Sequence, residues 1–164
     1  MEKEKVYLDS TIPSYRVSNL SVNAIVLIRQ KITIDWWDNK SQYYELYISD
    51  VVLDEIERGD QLYVKKRLEL VKGLKILAGK PEVEEITIKY MDFFNLPEKL
   101  YRDMTHIAYS VHYRMDCLLT WNFSHLANLH MRTQLARVNE RLGFKTPQIC
   151  SPEELMENNT GDKI

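Results

Sequence analysis

Gln148-Ile149-Cys150-Ser151-Pro152-Glu153-Glu154-Leu155 decides the fold class. A short run without polar alternation passes directly into a helix start. Ser151 is placed to cap, Pro152 suits the first helical position, and Glu154 completes a capping box. The same strand-then-helix pairing recurs upstream. Leu46-Tyr47-Ile48 leads into Ser49, which can cap a helix carrying Val51, Val52 and Ile56 and stopping at Gly59. Val6-Tyr7-Leu8 precedes a turn-rich stretch containing Pro13, then a helix over Val22 to Trp37 in which Ala24, Ile25, Ile28, Ile32 and Trp36 recur at helical spacing. Cys117-Leu118-Leu119 precedes a long helix from His125 to Leu142, ended by Gly143. Between these units the pattern predicts helices over about Gln61 to Val71, from Pro81 to about Phe94 and from Pro97 to near Arg114, with a brief apolar run at Leu74 to Leu77. Short strands separated by helices argue for a parallel sheet covered on both faces. The expected class is α/β, a three-layer α/β/α sandwich around a central parallel sheet of four or five strands.

The chain has 164 residues, enough for one domain whose core buries roughly 68–70% of the unfolded surface. No repeat or linker divides it, so residues 1–156 are read as a single domain and 157–164 as a polar C-terminal tail. Its 22 basic and 24 acidic side chains give a formal charge of -2, which excludes a global positive field for nucleic acid. Nucleic-acid binding must then be local or assisted by metal. Cys117 and Cys150 lack the spacing of a zinc site or redox pair and read as core thiols. No stretch approaches the ~20 apolar residues of a membrane span and the N-terminus carries no apolar signal segment, so a reducing cytoplasm and no membrane are expected.

Ligands of open parallel sheets bind beyond the carboxyl ends of the strands. That rule selects Asp9, directly after Val6-Tyr7-Leu8; Asn122, just past Cys117-Leu118-Leu119-Thr120; and Glu55, in the helix that starts where Leu46-Tyr47-Ile48 ends. Asp103 joins them from the second turn of the helix opened by Pro97. Singly, each acid has an ordinary explanation as a turn residue, a solvated helix residue or a complement to a helix N-terminus. Together, carboxylates at one end of a sheet repel one another unless a cation neutralises them or a pKa rises. Hard divalent ions such as Mg²⁺ and Mn²⁺ prefer oxygen ligands of this kind.

Tyr7-Leu8-Asp9-Ser10, the stretch Ile48 to Ile56 with Gly59 after it, Asp103-Met104-Thr105-His106-Ile107-Ala108 and Leu118-Leu119-Thr120-Trp121-Asn122-Phe123 resemble, in order and spacing, the successive motifs of the PIN-domain family. The resemblance covers nearly the whole chain. It implies a PIN-like, Rossmann-like sandwich and a Mg²⁺- or Mn²⁺-dependent endoribonuclease that cleaves RNA by metal-activated water, of the kind found as toxins in toxin–antitoxin pairs. Asp9, Glu55 and Asp103 become the metal-site acids, and Asn122 completes the catalytic set where the family pattern most often has a fourth carboxylate. An amide brings no charge, so a second ion would be held less tightly. Asp116 cannot replace it, because it precedes the strand that Asn122 follows. RNA as substrate, an antitoxin partner and a homodimer are further implications of the resemblance.

Ser10 and Thr120 are placed to hydrogen-bond a ligating carboxylate or water. Trp121 is a candidate base-stacking contact to RNA, weighed against packing on the sheet edge. Lys65-Lys66-Arg67 and Arg132, Arg137 and Arg141 are candidate phosphate contacts, although charge on a solvated helix face explains them more simply. His106 reads as a half-buried structural histidine, and His112, His125 and His130 form no metal-binding spacing. Two other functions compete with the nuclease. One is a PIN-like module that binds RNA or assembles with protein without cutting. The other makes Asp9 a phosphoryl-accepting nucleophile, but such enzymes usually place a second carboxylate two residues on, where this chain has Thr11.

Overall fold

The computed structural model of the chain describes residues 2–157. Five strands form one parallel sheet: β1 (Lys5–Leu8), β2 (Glu45–Ser49), β3 (Lys75–Leu77), β4 (Cys117–Leu119) and β5 (Gln148–Cys150), in the order β3-β2-β1-β4-β5. Around it lie α1 (Thr11–Val17), α2 (Ala24–Asn39), α3 (Asp50–Ile56), α4 (Gln61–Val71), α5 (Pro81–Phe93), α6 (Tyr101–His112), α7 (Leu129–Leu142) and α8 (Pro152–Glu157). The helices fall into two sets. α1 packs against α2 and α4, and α2 against α8. On the other side α5 packs against α6, and Tyr90 of α5 donates to Asn139 of α7 at 2.6 Å. This is the α/β sandwich that the strand-and-helix alternation implies. Residues 158–164 of the expected tail lie outside the described residues, and Glu157 is the last residue of α8.

β1 is central, which is why Val6, Tyr7 and Leu8 are all fully buried. The chain moves outward from β1 to β2 to β3 and then returns across the sheet to β4. The switch point therefore falls between β1 and β4, and the crevice for a ligand opens beyond their carboxyl ends. The ladder runs on past the strands there, with Asp9 N donating to Leu119 O at 3.2 Å and Thr120 N to Cys150 O at 3.0 Å.

Several caps follow the sequence. Ser49 accepts from Val52 N, and Ser151 accepts from Glu154 N at 3.3 Å. Gly143 takes the left-handed φ of 74° at the end of α7, a conformation open to glycine without a Cβ clash. Four expectations change. The stretch around Pro13 is the helix α1, because a proline in the first turn withholds an N–H that has no intrahelical acceptor. A 3-10 turn at Glu98–Leu100 separates Pro97 from α6, so Asp103 lies in the first turn of its helix. The long helix begins at Leu129 after an Asn128 cap, not at His125. Leu74 to Leu77 contains the edge strand β3, two of its three residues exposed. Cys117 and Cys150 are buried free thiols, as their setting in apolar runs implies.

Candidate active site

Asp9 ends β1 and is 3% exposed. Its Oδ1 accepts from Thr11 N at 3.0 Å and from the Thr11 hydroxyl, and its Oδ2 accepts from the Thr120 hydroxyl. Those two threonines also hold the loop after β4: Trp121 N donates to Thr11 Oγ1 at 2.9 Å, and Asn122 N donates to Thr120 Oγ1 at 3.0 Å. The Asn122 side chain then bridges outward, donating from Nδ2 to Asp103 Oδ1 at 3.2 Å and accepting from His125 N at 3.0 Å.

Glu55 enters from α3. Its Oε1 lies 2.6 Å from His106 Nε2, and its Oε2 accepts from the Ser10 hydroxyl at 3.0 Å. Behind it His106 Nδ1 meets the Tyr7 hydroxyl at 2.7 Å, and that hydroxyl meets Ser49 Oγ at 2.8 Å. The contacts make two sets, Asp9 with Thr120, Asn122 and Asp103, and Glu55 with Ser10, His106, Tyr7 and Ser49, and the His106 charge, felt by Asp9, Glu55 and Asp103 alike, couples them in one site. His106 is fully buried on α6 at the centre of it.

The charges are mutually adjusted. Burial pushes Asp9 above the ordinary carboxylate range, against the His106 charge and the Thr11 and Thr120 bonds. Burial likewise raises Asp103, with His125 and His106 opposing it and Glu55 adding to it. For Glu55, burial acts upward but the His106 hydrogen bond and charge prevail, and its pKa falls. For His106, burial acts downward, yet the bond and charge of Glu55, reinforced by Asp9 and Asp103, raise it. This end of the sheet is acidic, and its carboxylates bias the His106 imidazole toward its charged form.

Among the described residues no three His, Cys, Asp or Glu side chains stand close enough to cage an ion. The donor chemistry nonetheless fits a hard divalent cation: oxygen alone, from three carboxylates, two of them destabilised as anions by burial. Such an ion usually keeps several waters, through which side chains too far apart for direct coordination would hold it.

Sequence reasoning selected Asp9, Glu55, Asp103, Asn122, Ser10 and Thr120, and the fold brings all six to this end of the sheet. It missed Thr11, Tyr7 and His125, and it assigned His106 no part in the site. The Asp9-x-Thr11 spacing was the available signal for Thr11, since a strand-ending Asp commonly accepts from the residue two positions on. Trp121 is corrected: it is 4% exposed, with Nε1 donating to Thr33 Oγ1 at 2.7 Å, so its ring is packed against α2 and offers no face to a base. Asp116 lies at the opposite end of β4, bonded to Lys5 N and paired with Lys145 Nζ at 2.6 Å.

No family model matches the sequence, and no curated protein does. Solved structures do match. VapC20 of Mycobacterium tuberculosis, a sarcin-ricin loop cleaving toxin, aligns at TM-score 0.55 and 11% identity over 73% of this chain and 92% of its own. VapBC-1 from nontypeable Haemophilus influenzae aligns at 0.56 and 12% over 91% and 98%, and VapBC2 from Rickettsia felis, bound to a DNA fragment from their promoter, at 0.58 and 11% over 90% and 98%. The fold is the PIN-like VapC fold. This is the architecture that the resemblance to the PIN-domain family implied. On the VapC fold of this chain, the four motifs quoted from the sequence meet at the β1/β4 switch point.

Proposed function

We propose that this chain is a Mg²⁺- or Mn²⁺-dependent endoribonuclease and the toxin of a toxin–antitoxin pair, working in the cytoplasm. The observation that carries this reading is the electrostatic coupling of Asp9, Glu55 and Asp103 through His106 at the carboxyl end of the sheet. Three chain-distant acids held together there destabilise the metal-free protein, and a divalent cation relieves that repulsion. The VapC fold, and the description of VapC20 as a toxin that cleaves the sarcin-ricin loop, support the same reading.

Asp9, Glu55 and Asp103 would hold the ion through oxygen, directly or through water. When bound, it would lower the pKa of a nearby water and polarise a phosphoryl oxygen. Thr11 and Thr120 fix both Asp9 oxygens in place, and Ser10 and His106 do the same for Glu55. Asn122 turns Asp103 toward the hollow and tethers the loop after β4, which sets where the scissile phosphate can lie.

The test is cleavage of single-stranded and folded RNA by purified protein with Mn²⁺, Mg²⁺ or EDTA. Cleavage that needs metal and falls at least about 10²-fold in Asp9→Asn and Glu55→Gln is expected. Activity indifferent to both substitutions would mean a contaminant. One observation favours a non-cutting RNA-binding or assembly module as the alternative: Asn122 contributes an amide already committed to Asp103 and His125. Metal-independent RNA binding without cleavage would establish that module.

For the antitoxin, the surface that fits is the groove of Val17, Leu62 and Leu70 between α1 and α4, flanked by Lys65, Lys66, Glu69 and the Asp38-paired Arg16 and close in chain to exposed Leu20 and Val22. A segment with apolar anchors and acidic flanks complements it. We also infer a homodimer, which light scattering of the isolated chain would measure.

A further inference from the structure

Arg29 projects from α2 onto the loop after β4. Its guanidinium carbon lies 5.0 Å from the centre of the Phe123 ring and 5.6 Å from that of Trp121. Those rings flank Asn122 in sequence, and the platform is anchored in the site itself: Trp121 N bonds to Thr11, whose own N–H and hydroxyl hold Asp9. Thr33 of α2 accepts from the Trp121 indole, and Tyr15 meets its ring edge-on at 6.2 Å. Arg29 is half-buried and positioned by two aromatic side chains.

What sets Arg29 apart is its seat on the two rings that flank Asn122, with no anion of its own. Arg16 pairs with Asp38, Arg58 and Arg102 with Asp54, and Arg132 with Glu154. Among the described residues, no carboxylate pairs with Arg29. A guanidinium stacked on rings keeps its donor edge free, and a planar fork of donors matches a phosphate. A polyanion approaching a cluster of carboxylates needs a cation beside it, and Arg29, stacked on the loop that carries Asn122, is a cation there without a paired carboxylate.

We propose that Arg29 binds a backbone phosphate of the RNA next to the scissile one, on the α2 flank of the site. This rests on the nuclease reading above, and it identifies the ligand as single-stranded polyphosphate backbone held by charge rather than by a stacked base. Phe123 and Trp121 act through Arg29 as positioning residues.

The experiment is fluorescence anisotropy of a labelled single-stranded RNA in the Asp9→Asn background with Mg²⁺, titrated with NaCl. Arg29→Gln is expected to weaken binding about five- to twentyfold near 0.1 M salt and to flatten the log–log salt slope by about 0.7, one phosphate contact on a single strand. Arg29→Lys is expected to keep the parent slope, since the charge remains. In the active chain, Arg29→Gln should raise KM with kcat held within about twofold, because the contact is made in ground and transition state alike. If Arg29→Gln does not fold, Phe123→Leu is read instead: weaker binding at unchanged slope supports the proposal, and unchanged affinity overturns it. An unchanged slope in Arg29→Gln, or an equal loss of slope in Arg29→Lys, also overturns it, leaving an acidic protein segment as the occupant. RNA binding absent from the parent at every salt concentration, or binding that Arg29→Gln leaves intact, overturns this inference, while metal-dependent cleavage by the unsubstituted chain decides the nuclease reading separately.

Discussion

Glu55 Oε1 and His106 Nε2 stand 2.6 Å apart at the floor of the acidic hollow, and each shifts the other's protonation toward charge. Glu55, held below its ordinary range, contributes stability above about pH 4.3 that is lost as pH falls through its folded value. His106, held above its ordinary range, contributes stability that is complete below about pH 6.5 and is lost as pH rises through its folded value. The pair therefore stabilises most between about pH 4.3 and 6.5. His106→Gln should cost on the order of 2 kcal/mol at pH 6, and the gap from the parent should narrow toward pH 9. Thermal melts across that range measure it, and a gap independent of pH would show that the imidazole acts as a neutral hydrogen-bonding group.

Asp9 behaves in the opposite sense. Its folded pKa is raised, so the folded chain loses stability as pH climbs from about 3.9 through that raised value. Asp9→Asn should therefore melt higher than the parent at pH 7.5 in EDTA, by about 1 kcal/mol, with the difference fading toward pH 4. Millimolar Mn²⁺ should raise the melting temperature of the parent and leave that of Asp9→Asn unmoved. Equal shifts in both proteins would place the ion elsewhere.

Asn122→Asp would replace the 3.2 Å amide–carboxylate bond to Asp103 with two facing carboxylates. Without metal the variant should lose about 1 kcal/mol. With metal the added charge should tighten binding about tenfold, as read by titration calorimetry. Unchanged affinity would remove Asn122 from the metal's surroundings.

Gly79 follows β3 and donates its N–H to Asp50 Oδ2 at 3.0 Å, while Asp50 Oδ1 accepts from the Tyr109 hydroxyl. A Cβ at position 79 would lie 2.9 Å from Asp50 Oδ2 and 3.2 Å from the Tyr109 oxygen. Gly79→Ala should destabilise by about 1–2 kcal/mol in urea unfolding, and much of that loss should vanish in an Asp50→Ala background. Full additivity would show that the crowding lies elsewhere.

The sequence made β1, β2, β4 and β5 readable because each is a short run fully or half covered by helices and closed by a cap or a turn residue. It concealed the buried face of α2. Hydrophobic spacing pointed to Ile25 and Ile28, yet these are 64% and 57% exposed, and the buried side chains are Gln30, Thr33 and Trp36. Gln30 bonds to Ser21 N and Asn19 O, and Thr33 receives the Trp121 indole. Polar groups satisfied by distant partners invert the usual pattern, and no local rule shows those partners. Asp9, Glu55, Asp103 and Asn122 were legible because strand ends and family motifs mark them. Tyr7 and His106 were not, because a tyrosine in an apolar strand and a histidine in an apolar helix look like core until the fold sets them 2.7 Å apart.

The central position of β1 carries a consequence for synthesis. Asp9 emerges with the first strand translated, but Thr120, which grips it, follows 111 residues later. Until the loop after β4 is free to fold, Asp9 lacks Thr120 and Asp103 lacks Asn122. The order of the strands along the chain thus makes the site around Asp9 one of the last parts of the sheet to be completed.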